Sequence, residues 1–164
     1  MIKINGTAYY NIVAILEGTG GLRNVVLGRN IVTNSGDKYY AQRGAAETPT
    51  INYSGTGGAR LGTGTTAAAK ADTDVASFIT ASGLVVDTGY PKTADGDADN
   101  TGGGTRIVTW RFTWATTLGP FSNVNEVAIT DNPTGTPTQA LMRAIFSPSF
   151  TKDTATQLKV FINH

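Results

Sequence analysis

The acidic run Asp95-Gly96-Asp97-Ala98-Asp99-Asn100 is where metal chemistry would first be sought. Carboxylates at alternate positions supply oxygen ligands in the manner of a calcium loop. That loop also needs glycine at its sixth position and a bidentate glutamate at its twelfth, and here those are Asn100 and Arg106. Asp95, Asp97 and Asp99 therefore match only the first half of the motif. They read either as a calcium site or as a solvated acidic loop. Leu61-Gly62-Thr63-Gly64-Thr65-Thr66 has the glycines of a phosphate loop, but no lysine follows at the required place. It reads as a cluster of β-turns.

His164 is the only histidine, and cysteine is absent. Nucleophilic triads and thiolate metal sites therefore lack their residues, and a terminal imidazole lacks the fixed setting that both need. Glu17, Glu47 and Glu126 are the glutamates available for an acid–base pair, and no spacing brings two of them together. No catalytic or cofactor-binding residue is assigned, and the chain is expected not to be an enzyme. Glu126 stands among Val124, Val127 and Ile129. Strand alternation sets it on one face with Val124 and Ala128. Burial of that face demands a cation, Arg143 or Arg111, and an ion pair that fixes strand register is favoured over a catalytic role.

Positioning such residues falls to strands. The 164 residues suffice for one well-buried domain over 1–164. Charged residues make up only 15%, while the chain holds 26 Thr and 20 Gly, which suit strands and the turns between them. A net charge of +1, with no paired Lys or Arg, argues against a nucleic-acid partner. The longest apolar run, Ile12 to Leu16, is far too short to span a membrane, and the N-terminus lacks the apolar stretch of a signal peptide.

Residues 105–164 carry four strand-like runs with turns between them, one of the turns at Ser147-Pro148-Ser149. Val108, Trp110, Phe112 and Trp114 share one face, and Thr109, Arg111 and Thr113 the other. Leu158, Val160 and Ile162 alternate with Gln157, Lys159 and Phe161. Residues 8–17 and 22–32 form a hairpin about Gly18-Thr19-Gly20-Gly21. Asn34 or Ser35 caps a short helix that Gly44 stops. Ile51, Tyr53 and Leu61 suggest an interrupted strand, Asp72 or Thr73 caps a helical turn within 67–81, and 84–90 is a further short strand. Residues 91–104 contain no large aliphatic side chain and form an exposed loop, and 1–7 form an N-terminal arm. The expected fold is all-β, a single jelly-roll-like β-sandwich of seven or eight strands with one or two short helices and long Gly/Thr-rich loops. The Trp residues belong to its core. Phe121, Phe161, Tyr90, Asp95, Asp97 and Asp99 are the candidates for contacts between subunits.

Four segments together carry a resemblance: NIVTNSG at 30–36, LGTGTTAAAKADTD at 61–74, NVNEVAI at 123–129 and ALMRAIFSPSFTKDTATQLKV at 140–160. The chain resembles small structural proteins of tailed bacteriophages, which serve as capsid decoration or cement proteins and as tail, collar or fibre components. The resemblance implies a virion location after assembly in the host cytoplasm. It also implies a major capsid protein as partner, homo-oligomerisation with a trimer favoured, and no cofactor. A tail or baseplate component is the alternative, and a carbohydrate-binding module a further one.

Overall fold

The computed structural model describes residues 2–4, 8–10, 12–93 and 108–164. Among the described residues eleven strands and one helix follow in chain order: β1 (Ile2–Ile4), β2 (Ala8–Tyr10), β3 (Ile12–Gly18), β4 (Gly21–Val32), α1 (Asn34–Gly44), β5 (Gly58–Gly62), β6 (Leu84–Val85), β7 (Lys92–Thr93), β8 (Val108–Trp114), β9 (Phe121–Thr130), β10 (Ala140–Lys152) and β11 (Thr156–Asn163). The all-β class holds, with one helix. β1 and β2 pair by themselves, so residues 2–4 of the expected arm lie in a small hairpin. The other strands belong to one antiparallel sheet of order β6-β5-β9-β10-β4-β3-β11-β8-β7. In place of two facing sheets, this single sheet curls over its own core.

Cross-strand partners lie on the same face, so the register defines the inner surface. The rows Ile162–Ile12–Gly28, Val160–Ala14–Val26 and Leu158–Leu16–Asn24 run across β11, β3 and β4. They continue into Trp110, Phe112 and Trp114 on β8. On the other side Met142 pairs with Ile129 and Ala144 with Val127, which in turn oppose Ala59 and Leu61. Both indoles and Phe112 are fully buried, as their alternation requires.

Helix α1 packs mainly on β10. Its N-cap is Thr33, one residue before the expected Asn34: the Thr33 hydroxyl accepts from the Gly36 N–H at 3.1 Å and donates to the Ala140 carbonyl. A side chain at Gly36 would meet the Leu141 carbonyl oxygen at 2.0 Å, so only glycine lets the first helical turn lie against β10. Tyr39 stacks edge-on against Tyr53 at 5.4 Å, and Tyr40 accepts the Trp110 indole N–H at 3.2 Å.

Three local expectations fail. Residues 67–81 form no helix, because backbone N–H groups of this stretch bond to a carboxylate of the sheet and to residues 61 and 69 in place of helical partners. Ile51 and Tyr53 sit in a turn region before β5. Ser147-Pro148-Ser149 does not end a strand; it is an irregularity inside β10, between Ile145 opposite Glu126 and Phe150 opposite Val124. Of the expected 91–104 loop, Lys92 and Thr93 pair with β8, and 94–104 lies outside the described residues.

The curl is closed by residues 82–90. Leu84 and Val85 pair with Ala59 and Gly58 at one edge of the sheet. Asp87 N–H then donates to the Arg111 carbonyl at 3.0 Å on β8, near the opposite edge. The Asp87 carboxylate accepts Arg111 Nε at 2.7 Å, the Thr113 N–H at 3.1 Å and its hydroxyl at 2.6 Å. The Trp114 indole donates to the Ser82 carbonyl at 2.8 Å. Replacing Asp87 by Ala strips three acceptor contacts from a partly buried edge, and a loss of about 2 kcal/mol is expected in urea denaturation. Glu17→Ala, which removes only the solvated pair to Lys159 at 3.1 Å, is expected to cost less than about 0.5 kcal/mol. Equal losses would show that Asp87 does not close the curl.

Candidate functional site

Glu126 faces outward from β9 with Ala128, opposite Gly62 of β5 and Ile145 of β10. Val124 does not share that face. It joins the core cluster, and the β9–β10 register shifts between Glu126 opposite Ile145 and Val124 opposite Phe150. Though on the outer face, Glu126 is fully buried, because the 63–79 segment crosses over it. Its Oε1 accepts the N–H groups of Gly64 at 2.8 Å and Ser77 at 2.9 Å, and its Oε2 accepts that of Ala76 at 2.9 Å. Oε2 also accepts Arg143 Nε at 2.8 Å and lies 2.6 Å from Arg143 Nη2.

The two glycines of Leu61-Gly62-Thr63-Gly64 now have a reason. A Cβ at either would lie 2.4–2.5 Å from Glu126 Oε1. The motif does surround an anionic oxygen with backbone donors, as its glycine spacing hinted, but the anion is the chain's own carboxylate. Arg143 completes the fastening: Nη1 reaches Asp72 Oδ2 at 2.9 Å, and Nη2 donates to the Thr66 carbonyl at 2.9 Å. Asp72 accepts the Ala69 N–H rather than capping a helix. Of the two cations the sequence left open, Arg143 takes Glu126, and Arg111 is engaged by Asp87. Beside them Arg60 pairs with Asp74 at 3.0 Å, stacks over Phe78 at 3.5 Å and donates to the Gly135 carbonyl at 2.6 Å. Burial lowers its pKa from the ordinary value, against the pull of Asp74. Glu126 spends both oxygens on five donors and has no surface, so its chemistry is that of a fastening.

The outer face is covered at both flanks, by 63–79 over β5, β9 and β10 and by the Asp87–Tyr90 turn near β8. Between them the aliphatic side chains Ile15, Val25, Leu27, Ile31 and Ile145 form a strip across β3, β4 and β10, by their register with Val13, Arg143 and Arg29. Val25 is 42% exposed, and Leu22, at the hairpin end, 65%. A groove of about 760 Å³ opens where the strip meets the covering segment, between Leu27, Ile31 and Ile145 on one side and Thr65, Ala67 and Ala68 on the other. This strip with its groove is the candidate docking surface.

The residues singled out for contacts lie elsewhere. Phe121 and Phe161 are only 3% and 4% exposed, and Tyr90 9%. Phe121 packs into the core, with the Lys152 ammonium 5.9 Å from its ring. Phe161 does point away from the core, as alternation requires, but lies in register with Val13 and Arg111 on a covered part of the face. Tyr90 is itself part of that cover, under the Arg111 guanidinium at 4.4 Å. As free contact residues these three are corrected, because alternation tells which face a ring takes and not what covers that face. Asp95, Asp97 and Asp99 lie outside the described residues. Among the described residues no three potential metal ligands cluster. The signal that marks the strip was present in the sequence as Val25, Leu27 and Ile31 on one face of β4, with Arg29 at the alternate position between the last two.

His164 is held more firmly than its terminal position suggested. Its N–H and carbonyl both bond to Val108 at 3.0 Å, its ring lies 5.6 Å from that of Tyr40, and Asn30 Nδ2 is 3.2 Å from Nδ1. Burial pushes its pKa down to about 4.

Comparison of the chain with protein-family models, with curated proteins and with solved structures found no match.

Two outcomes follow from this geometry. Glu126→Gln leaves Arg143 with the half-buried Asp72 as its one remaining counter-charge and weakens the acceptor of three backbone N–H groups, and a loss of about 3 kcal/mol is expected in chemical denaturation, with faster amide hydrogen exchange across 63–79. A loss below about 1 kcal/mol would remove the pair from its fastening role. The neutral His164 ring favours the folded state. Because its folded pKa lies below the unfolded value of about 6.5, stability is complete above that pH and declines as the pH falls toward 4. Between pH 7 and 5 this group contributes a decline of about 2 kcal/mol. Parallel pH titrations of stability should show that part of the slope missing in His164→Gln, and identical slopes would contradict it.

Proposed function

We propose that the chain is a non-enzymatic structural protein of a tailed-bacteriophage virion, a cement protein that binds the outer capsid surface and ties neighbouring major capsid proteins together. The observation that supports this reading most is the strip of partly exposed aliphatic side chains on β3, β4 and β10, framed by flanks that the chain itself covers. Apolar surface of this kind on a sheet, with the exposed Arg29 set between Leu27 and Ile31, is characteristic of a docking face. The frame is rigid, because the Glu126 fastening and the Asp87 closure hold both flanks. A partner therefore meets a preformed surface and little ordering entropy is lost.

The mechanism is geometric. A cement protein seated where capsid subunits meet buries surface on more than one of them, so separation of the subunits must break several contacts together. Trimeric assembly at a local threefold position would multiply those contacts. Three of the four segments that carry the phage resemblance meet at the fastening: Gly62, Gly64 and Asp72 from one, Glu126 from the next, Arg143 from the last. The same segments also supply Ile31, Ile145 and the Thr65–Ala68 wall of the groove, while Ile15, Leu22, Val25 and Leu27 of the strip lie outside them.

The reading is checked by mixing purified protein with expanded empty capsid shells. Co-sedimentation and a rise of several degrees in shell melting temperature are expected, and both are expected to vanish in Leu22→Glu/Val25→Glu. Absence of binding, or virion density for this chain only in the tail, would overturn the capsid assignment.

A further inference from the structure

The strip borders an edge of unusual construction. β4 pairs with β3 from Gly21 to Gly28, but with β10 only from Gly28 to Val32. At Phe146 β10 leaves β4: Ser147, Pro148 and Ser149 are exposed, and the strand next pairs at Phe150, with Val124 of β9. Residues 22–27 of β4 therefore have β3 on one side and, among the described residues, no strand on the other. Among the described residues, an edge inside a nine-stranded sheet is thus open over six residues. A strand directs its peptide groups alternately to its two sides, so this edge offers a row of N–H and C=O groups that only another extended backbone satisfies in series. The 760 Å³ groove lies at the fork itself, with Leu27, Ile31 and Ile145 as its apolar wall.

We infer that the 22–27 edge of β4 receives an extended segment of another protein, which adds a strand between β4 and the diverging end of β10 and places an apolar side chain in the groove. The unpaired edge selects a polypeptide in extended form, and the groove selects an aliphatic or aromatic residue where that segment reaches Gly28. A second copy of this chain does not meet both demands. Antiparallel self-pairing centred between Asn24 and Val25 sets the second copy's Gly20 and Gly21 opposite Arg29 and Gly28, and glycine brings no side chain to fill the groove. The inference stands on backbone pairing and holds whether or not the partner is a capsid protein.

The test uses the full chain and a synthetic acetylated octapeptide of alternating threonine and valine, with a control peptide whose alternate backbone amides are N-methylated. In the free protein, amides of 22–27 that face away from β3 are expected to exchange faster than those bonded to it. The octapeptide is expected to slow that exchange and to shift the resonances of Leu27, Ile31 and Ile145, and the methylated control is expected to do neither. Ala68→Trp, which fills the groove from its far wall, is expected to weaken binding about tenfold with the melting temperature unchanged. Uniform slow exchange across 22–27 in the monomer would overturn the open edge. Resonance shifts confined to other strands, or none, would overturn the site. Protection that grows with protein concentration alongside dimer formation would assign the edge to a second copy instead.

Discussion

The buried pairing of Glu126 with Arg143 is the interaction on which the rest of the outer face depends. Two charges removed from water are tolerable only when every remaining lone pair and proton finds a partner. Glu126 meets that demand with three backbone N–H groups from a segment that has no secondary structure of its own. Arg143 meets it with carbonyls of the same segment and with Asp72. The ion pair and the 63–79 crossing thus require one another. Without the crossing the pair would lack its donors, and without the pair the segment would be held by fewer contacts, among them its Arg60 contacts and its backbone bonds to residues 61 and 63 near one end.

A single sheet that must enclose its own core faces a related constraint at its two edges. β6 and β7 are two residues each, too short to protect anything by pairing alone. The chain resolves this with Asp87, whose carboxylate and amide reach across to β8 from the segment that also pairs with β5. Closure here is a matter of side-chain acceptors and one backbone bond, not of a continuous ladder. The core it encloses has Trp110, Phe112 and Trp114 on one wall and a mixture of aliphatic residues with Phe121, Phe146 and Phe150 on the other.

Between these two fastened flanks the middle of the sheet is left bare, and it is bare in two senses. Val25 and Leu22 expose apolar surface, and the backbone of β4 beside them has lost β10 as a neighbour. The covered flanks make the bare region a bounded site and not simply a poorly packed one. Charged groups border it, with Arg29 in the groove and the Lys159–Glu17 pair beside Ile15.

By itself, the sequence determined which residues face together. Period-two alternation in β3, β4, β8 and β11 follows from the pleat, so the assignment of Trp110, Phe112, Trp114, Leu158, Val160 and Ile162 to one buried surface needed no coordinates. The hairpin glycines, the helix after Val32 and the need of Glu126 for a cation were legible for similarly local reasons. Tertiary structure decided everything that depends on what lies across or above a strand. It chose Arg143 over Arg111, made room for the carboxylate at Gly62 and Gly64, joined the strands into one curled sheet, and covered Phe161 while leaving Val25 bare. It also split β10 from β4 at Ser147. Those outcomes rest on contacts between residues tens of positions apart, and a local pattern carries no record of which distant segment will arrive to make them.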